Sequence, residues 1–538
     1  MTKMIAEIRF FMTLALTGLL VSTASGAGLA NQHKSGLNVI SIDQVLRLPD
    51  DQIDIGTAAL IISEEWSDVV NGLRYREELD AMAHELLSRL RQKRLRPNFR
   101  AIPIINHYLF EELGYGTVAN ADNPDDLFLH TVMDNRKGYC LSLSILYLSL
   151  AERIGLPLHG VVVPGHFFVR YDSRTQRFNI ETTASGATPE DDYYIERHDV
   201  PDQANDGIYM TNLSKLQTLG CLFNNFGVVY MEAGQLDKAL VALDRAIRIN
   251  PLLSEARANM GNIYMQQSLY ELAIDQFNAA LEVNPNDPKT HFNAGGAYLE
   301  VQQYRRAETH LERSLALDPN FGDTYAQLGR LYAAQKYDQK ASVILKDGLQ
   351  RFPENMNIAS QLASVYLDAG LVRKSLSQYQ RVLSQKPANP HALFGCAMCY
   401  NKLKQVDREI STYQELLQHQ PASFAAWVNM GHAQFGQQQF KPALSSYRKA
   451  VTLQDDDPYL YLNMGIACTK LKEPDPAITY LKRAVMLKPD LANAHYALAV
   501  TYYNQGHFKF ALEAITQAKR HGMDVPQSQV DAMTSQAQ

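Results

Sequence analysis

Cysteine is scarce in this chain: Cys140, Cys221, Cys396, Cys399 and Cys468 are the five among 538 residues. Thiols so few and so scattered exclude a disulfide-stapled scaffold, and an odd count leaves at least one free. Excess positive charge is also missing. The 51 Lys and Arg against 57 Asp and Glu give a net charge of −6, which argues against a nucleic-acid partner. The apolar run FFMTLALTGLLV (Phe10 to Val21) is too short for an ordinary membrane span, which needs about 20 residues. No second cysteine pair or histidine pair at ligand spacing accompanies Cys396 and Cys399, and Asp122, Asp125 and Asp126 lack the EF-hand pattern, so neither a metal nor a cofactor is expected. The Cys396-x-x-Cys399 pair falls in mid-helix, whereas redox pairs sit at helix starts, so it reads as core packing.

What is present begins with targeting. Lys3 and Arg9 precede the apolar run and Ser25-Gly26-Ala27 follow it, the pattern of a secretory signal peptide over residues 1–27. The protein is therefore expected to be exported, to a periplasmic or extracellular location. Membrane contact is expected only through the signal segment, if it stays uncleaved.

The second half repeats itself every 34 residues. Gly227, Gly261, Gly295, Gly329, Gly431 and Gly465 share one column, and Tyr230, Tyr264, Tyr298, Tyr332, Tyr366, Tyr400 and Tyr502 another. Ala239, Ala273, Ala307 and Ala341 begin a third, and Pro251, Pro285, Pro319 and Pro353 begin the column that closes most units. Small residues let two antiparallel helices approach, aromatics fill the space to the next unit, and proline stops the second helix. This period and signature resemble the tetratricopeptide repeat (TPR), and nine units fit over 220–525, after a linker at 201–219 and before a tail at 526–538. One further column holds Asn225, Asn259, Asn293, Gln327, Gln361, Asn429 and Asn463. Amide side chains both donate and accept, so such a ladder can pair with extended peptide backbone, and a protein or peptide partner is expected on the inner face. It resembles the asparagine ladder of O-linked N-acetylglucosamine transferase repeats.

The first half carries the chemistry-bearing residues. Helical periodicity marks DIGTAALIISEEW, YREELDAMAHELLSRLRQKR and IPIINHYLFEEL, and an apolar helix runs from Leu141 to about Ile154. Cys140 sits at its head, where the helix dipole favours a thiolate. The runs HGVVVPGHFFVRYD and QRFNIETT predict an antiparallel hairpin. With residues 172–175 as its loop, Phe167 faces Ile180 and Val169 faces Phe178 on an apolar side. His166 faces Glu181 and Phe168 faces Asn179 on the other, and Arg170 would oppose Arg177. Thiol, imidazole and carboxylate then have the parts of a catalytic triad: Cys140 as nucleophile, His166 as base and acid, Glu181 as the group that orients the ring. His107, His130, His159 and His198 have no comparable partners and read as structural.

The segment RKGYCLSLSILYLSLAERIGLPLHGVVVPGHFFVR followed by FNIETT resembles the transglutaminase-like superfamily. LFEELGYG, NPDDLFLHTVM and GLPLHGVVVPGHFFVR resemble its SirB-type branch, which often carries TPR units behind it. The resemblance covers roughly 40–200 and implies an α+β papain/transglutaminase-like N-terminal domain ahead of an all-α TPR superhelical solenoid. It puts Cys140, His166 and Glu181 in the triad places, with glutamate where the superfamily usually has aspartate. The function expected is a cysteine-dependent amide hydrolase or acyltransferase whose repeats bind a partner. The alternative is a non-catalytic TPR scaffold with an inactive front domain.

Overall fold

The computed structural model describes residues 41–66, 70–118, 123–198, 200 and 208–537. The expected signal segment 1–27 and Asp122 lie outside them. The chain divides into two units, Met1–Leu252 and Leu253–Gln538.

In the first unit, α1 (Ile55–Trp66) is buried at nine successive residues, Ile55 to Ser63, as its all-round apolar sequence requires. Helix α2 (Gly72–Gln92) buries only one stripe, Tyr75, Leu79, Met82, Ala83, Leu86 and Leu90, and leaves its charged face outside. After α3 (Ile102–Asn106) the chain makes a π-helical stretch, His107–Glu112. Strand β1 (Gly116–Thr117) then pairs in parallel with β2 (Lys137–Gly138), which follows α4 (Leu129–Asn135). Helix α5 (Cys140–Arg153) is buried along almost its whole length and packs on the sheet.

That sheet has three antiparallel strands, β3 (Leu158–Val163), β4 (His166–Asp172) and β5 (Arg177–Ile180), in that order. Two corrections to the sequence reading follow. The run HGVVVPGHFFVRYD is itself a hairpin, turned at Pro164-Gly165, where Gly165 has φ +71°. The second loop is 173–176, one residue later than expected, so Val169 pairs with Ile180, Arg170 with Asn179 and Tyr171 with Phe178. Ser173 fixes this loop, its Oγ accepting from the amides of Thr175 (3.4 Å) and Gln176 (3.2 Å). Moving a loop by one residue shifts register by two, and a two-residue shift keeps every side chain on its face. The opposition of Arg170 and Arg177 disappears; Arg170 instead meets Asn179, which accepts from its Nε at 2.8 Å.

The first helical repeat belongs to this unit. Its helices are α7 (Lys215–Glu232) and α8 (Leu236–Ile249). Trp66 at the end of α1 lies against Phe226 and Tyr230 of α7, with ring centroids 5.5 and 5.0 Å away. Each such aromatic pair contributes about 0.5–1.5 kcal/mol beyond area burial. Lys215 bonds the Glu152 carboxylate and the Ile53 carbonyl, and Arg245 pairs with Glu65 at 3.0 Å.

The second unit begins with α9 (Ser254–Gln266) and contains eight more helix pairs among the described residues, the last helix of which is α24 (Phe508–Arg520). A final helix, α25 (Gln527–Ala537), occupies most of the expected tail. The glycine column reports helix contact: a Cβ at Gly329 would come within 2.4 Å of the Leu345 side chain, and at Gly295 within 2.6 Å of Leu311. A second 34-residue column, Gly234, Ser268, Gln302, Lys336, Gly370, Lys404, Gln438, Lys472 and Gly506, adopts positive φ at the turn inside each pair. Left-handed residues end helices this way by satisfying the last carbonyls.

Candidate active site

Cys140 opens α5, immediately after β2. The lead-in is fixed locally: the Tyr139 amide donates to Ser142 Oγ at 2.9 Å, and Ser142 Oγ in turn donates to the Asp126 carbonyl at 2.9 Å. Glycine at 138 is required by packing, since a Cβ there would lie 2.7 Å from Ser142 Oγ and 2.8 Å from Val132 Cγ2. Cys140 is partly exposed, whereas Cys221, Cys396, Cys399 and Cys468 are buried. Burial pushes the Cys396 thiol up to about 12 and the Cys468 thiol up to about 11. Cys399 is raised for the same reason and bonds Ser375 Oγ at 3.3 Å. The C-x-x-C pair therefore sits in the core as protonated thiols.

His166, the first residue of β4, is bonded through Nε2 to Glu181 Oε2 at 2.7 Å. Glu181 does not stand opposite His166 in the ladder; it follows β5 on the same face, one diagonal step away, within reach of the ring. The glutamate is itself tightly held. Oε1 accepts from the Thr183 amide at 3.1 Å and from the Thr183 hydroxyl, and Oε2 accepts from Tyr194 Oη at 3.0 Å. Thr182 links the two sides of the site, its hydroxyl lying 3.0 Å from Ser144 Oγ and 3.5 Å from the Cys140 carbonyl.

The electrostatics follow from this geometry. Burial, the largest influence on His166, disfavours the imidazolium; hydrogen bonds and charge from Cys140 and Glu181 outweigh it and raise the pKa to about 9. Glu181 would be raised by burial, but His166 and Thr183 hold it below the usual carboxylate range. With Nε2 occupied by Glu181, Nδ1 is the nitrogen left to serve Cys140. Among the described residues no cluster of three metal-ligating side chains occurs.

One residue of this site was read from the sequence as structural. His198, just past α6 (Asp191–Arg197), stacks on His166 with ring centroids 4.9 Å apart and planes 11° apart. Nothing in the sequence marks it, because it arrives from a helix 32 residues away. His107, by contrast, lies on the exposed side with Glu111 and Glu112.

The amide ladder is placed on the first helices of the repeats, and part of it is already hydrogen-bonded within the protein. Asn293 donates to Asn262 Oδ1 at 2.8 Å, Asn463 donates to His432 Nε2 at 3.0 Å, and Asn429 bonds the Tyr413 hydroxyl. Asn225 is half-buried on α7 and Asn259 is also engaged in an interaction. In the second unit a cavity of about 360 Å³ is lined by Gln327 and Gln361 from the same column, with Arg330, Asn357, Lys386 and His391. Gln327 Oε1 is buried there without a hydrogen-bond partner among the described residues.

Comparison with known families agrees with the order of the two kinds of domain. The profile of the Transglutaminase-like superfamily matches residues 73–206. TPR profiles match 227–268, 261–302 and 467–506, then 360–426, and 288–321 and 424–457. The fold is thus an α+β transglutaminase-like domain followed by an all-α TPR solenoid, and arrays of this kind mediate protein–protein interaction. A UPF0162 protein of Xylella fastidiosa (strain 9a5c) is 28% identical over 209 residues, 38% of this chain and 73% of that protein. A UPF0162 protein of Pseudomonas aeruginosa is 29% identical over 140 residues, 26% of this chain and 52% of that one. F-box only protein 21 of Mus musculus is 34% identical over 73 residues, 13% of this chain and 12% of its own. Among solved structures, the APC/C hetero-tetramer Cut9–Hcn1 is similar with a TM-score of 0.40 and 16% identity, covering 52% of this chain and 55% of that chain.

Proposed function

We propose that the front domain is a cysteine-dependent amide hydrolase or acyltransferase, exported, whose TPR array holds a peptide or protein partner. The observation that carries the reading is the His166–Glu181 bond beside a partly exposed cysteine at a helix head. In the reaction, the Cys140 thiolate attacks an amide carbonyl, and the first-turn N–H groups of α5, which lack helical partners, face the developing oxyanion. His166 gives its proton to the leaving amine as the tetrahedral intermediate collapses to a thioester, then takes one from the water or amine that resolves it. Glu181 keeps the ring in the tautomer this requires. Similarity to the UPF0162 proteins supports placing the domain in the SirB-type branch.

The test is selective alkylation. At pH 7 Cys140 in the full chain is expected to react with iodoacetamide at least tenfold faster than Cys221 or Cys468, and to lose that advantage in His166→Ala. Equal rates for all three thiols would leave the scaffold reading, in which a Cys140→Ala chain keeps full biological activity.

The array reading rests on the cavity at Gln327 and Gln361. The amide side chains of Gln327 and Gln361 line it, and amides both donate to and accept from extended peptide backbone. Gln327→Ala with Gln361→Ala is expected to weaken capture of the crosslinked partner of a Cys140→Ser chain about tenfold, and unchanged capture would remove the ladder from the mechanism.

A further inference from the structure

We propose that His198 is a positioning residue for His166: its ring, seated by a bond to Pro164, stacks on the imidazole, and this stack fixes the plane in which His166 reaches Cys140 and Glu181. The inference rests on the reading of Cys140 as nucleophile, but the geometry behind it is separate.

Two contacts converge. The rings of His198 and His166 are nearly parallel at 4.9 Å, inside the range of favourable aromatic stacking. His198 Nδ1 lies 3.2 Å from the Pro164 carbonyl. A carbonyl only accepts, so Nδ1 carries the proton. Pro164 belongs to the tight turn that delivers His166 at the start of β4. His198 therefore grips both the backbone before His166 and the face of its ring. Hydrogen bonds at the ring edge to Glu181 and Cys140 leave rotation of the plane poorly determined; a stacked neighbour removes that freedom. Tyr194 completes the set, 18° from the His166 plane and 23° from that of His198, and it stacks in turn on Phe168 at 3.8 Å.

The charges around the pair suit this role. His166 meets Cys140 from α5, Glu181 beyond β5, and Tyr194 and His198 at α6. His198 meets His166, Arg197 and Glu181. Burial, then the positive charge of His166, hold the His198 pKa below its ordinary value, with the Pro164 carbonyl opposing. His198 thus offers the imidazolium an uncharged aromatic face rather than a second positive charge.

The experiment uses the full chain with 13Cε1-labelled histidine, comparing wild type, His198→Ala and His198→Phe. In H198A the His166 Cε1–H signal and its titration midpoint are expected to move, and Cys140 alkylation to slow about tenfold. H198F, which restores a flat face, is expected to recover most of both. The proposal is overturned if H198A keeps the wild-type signal and pH–rate profile, or if H198F behaves no better than H198A. A wild-type Cys140 that reacts no faster than Cys221 would instead defeat the enzyme reading, and the His166 signal would still decide the role of His198.

Discussion

Glu181→Gln is expected to slow alkylation of Cys140 ten- to a hundredfold at pH 8, with the loss smallest near pH 6. The carboxylate is one of the two groups that raise His166 to about 9, and without it the imidazolium population falls as pH climbs past 6.5. Each unit of midpoint lost removes about a factor of ten from that population. Stability moves with the same groups, and the sign can be worked out. His166 has a folded pKa above its unfolded value of 6.5, so its contribution is complete below 6.5 and disappears as pH rises through about 9. Glu181 is depressed, so its contribution is present above the ordinary glutamate range and disappears as pH falls through its lower folded value. The variant's deficit, about 1.5–3 kcal/mol for a hydrogen bond to a charged group, is therefore expected to be greatest between pH 5 and 6.5. Thermal unfolding of both chains from pH 3 to 10 checks this; a deficit that is constant with pH would mean that the pair is not ionised in the folded protein.

Arg170→Ala is expected to destabilise the front unit by about 2–5 kcal/mol, the cost of a cavity at a fully buried side chain and of the acceptors it leaves unpaired. Its side chain is fully buried on β4. The guanidinium donates to Asn179 Oδ1 at 2.8 Å, to the Met210 carbonyl at 2.7 Å and to Asp191 Oδ1 at 2.7 Å, and lies 5.5 Å from the Phe168 ring centroid. Asn179 bonds the same Asp191 oxygen and the Pro189 carbonyl, so the network ties both strands to the start of α6. Without the arginine, three acceptors lose a donor and a cavity is left behind. Arg170→Lys has no fork to replace three directions of bonding and is expected to recover little. Because α6 carries Tyr194 onto Glu181, Cys140 alkylation should also slow. A denaturation midpoint for Arg170→Ala within experimental error of wild type would show that the network contributes nothing to stability.

The sequence displayed some of this and hid the rest for physical reasons. The 34-residue columns were plain because every unit must solve the same packing problem with the same small and aromatic residues. The His166 and Glu181 faces were legible although their register was not, since apolar alternation fixes the side of a strand and leaves its slide along the neighbour to the loop. Pro164-Gly165 is a strong turn signal, yet it sat inside an apolar run that reads as one strand. Arg170 looked like an objection to the hairpin because nothing local announces a partner on α6. His198 was invisible for the same reason: its contact depends on where a separate helix ends.

The position of α7 matters for anyone wishing to dissect the molecule. Trp66 rests on Phe226 and Tyr230, and Lys215 reaches Glu152 and Ile53, so a cut in the apparent linker at 201–219 would tear an aromatic seam open and leave a sticky wound on α1. The practical incision is after Leu252, where the first unit ends. A front fragment ending there keeps its own lid.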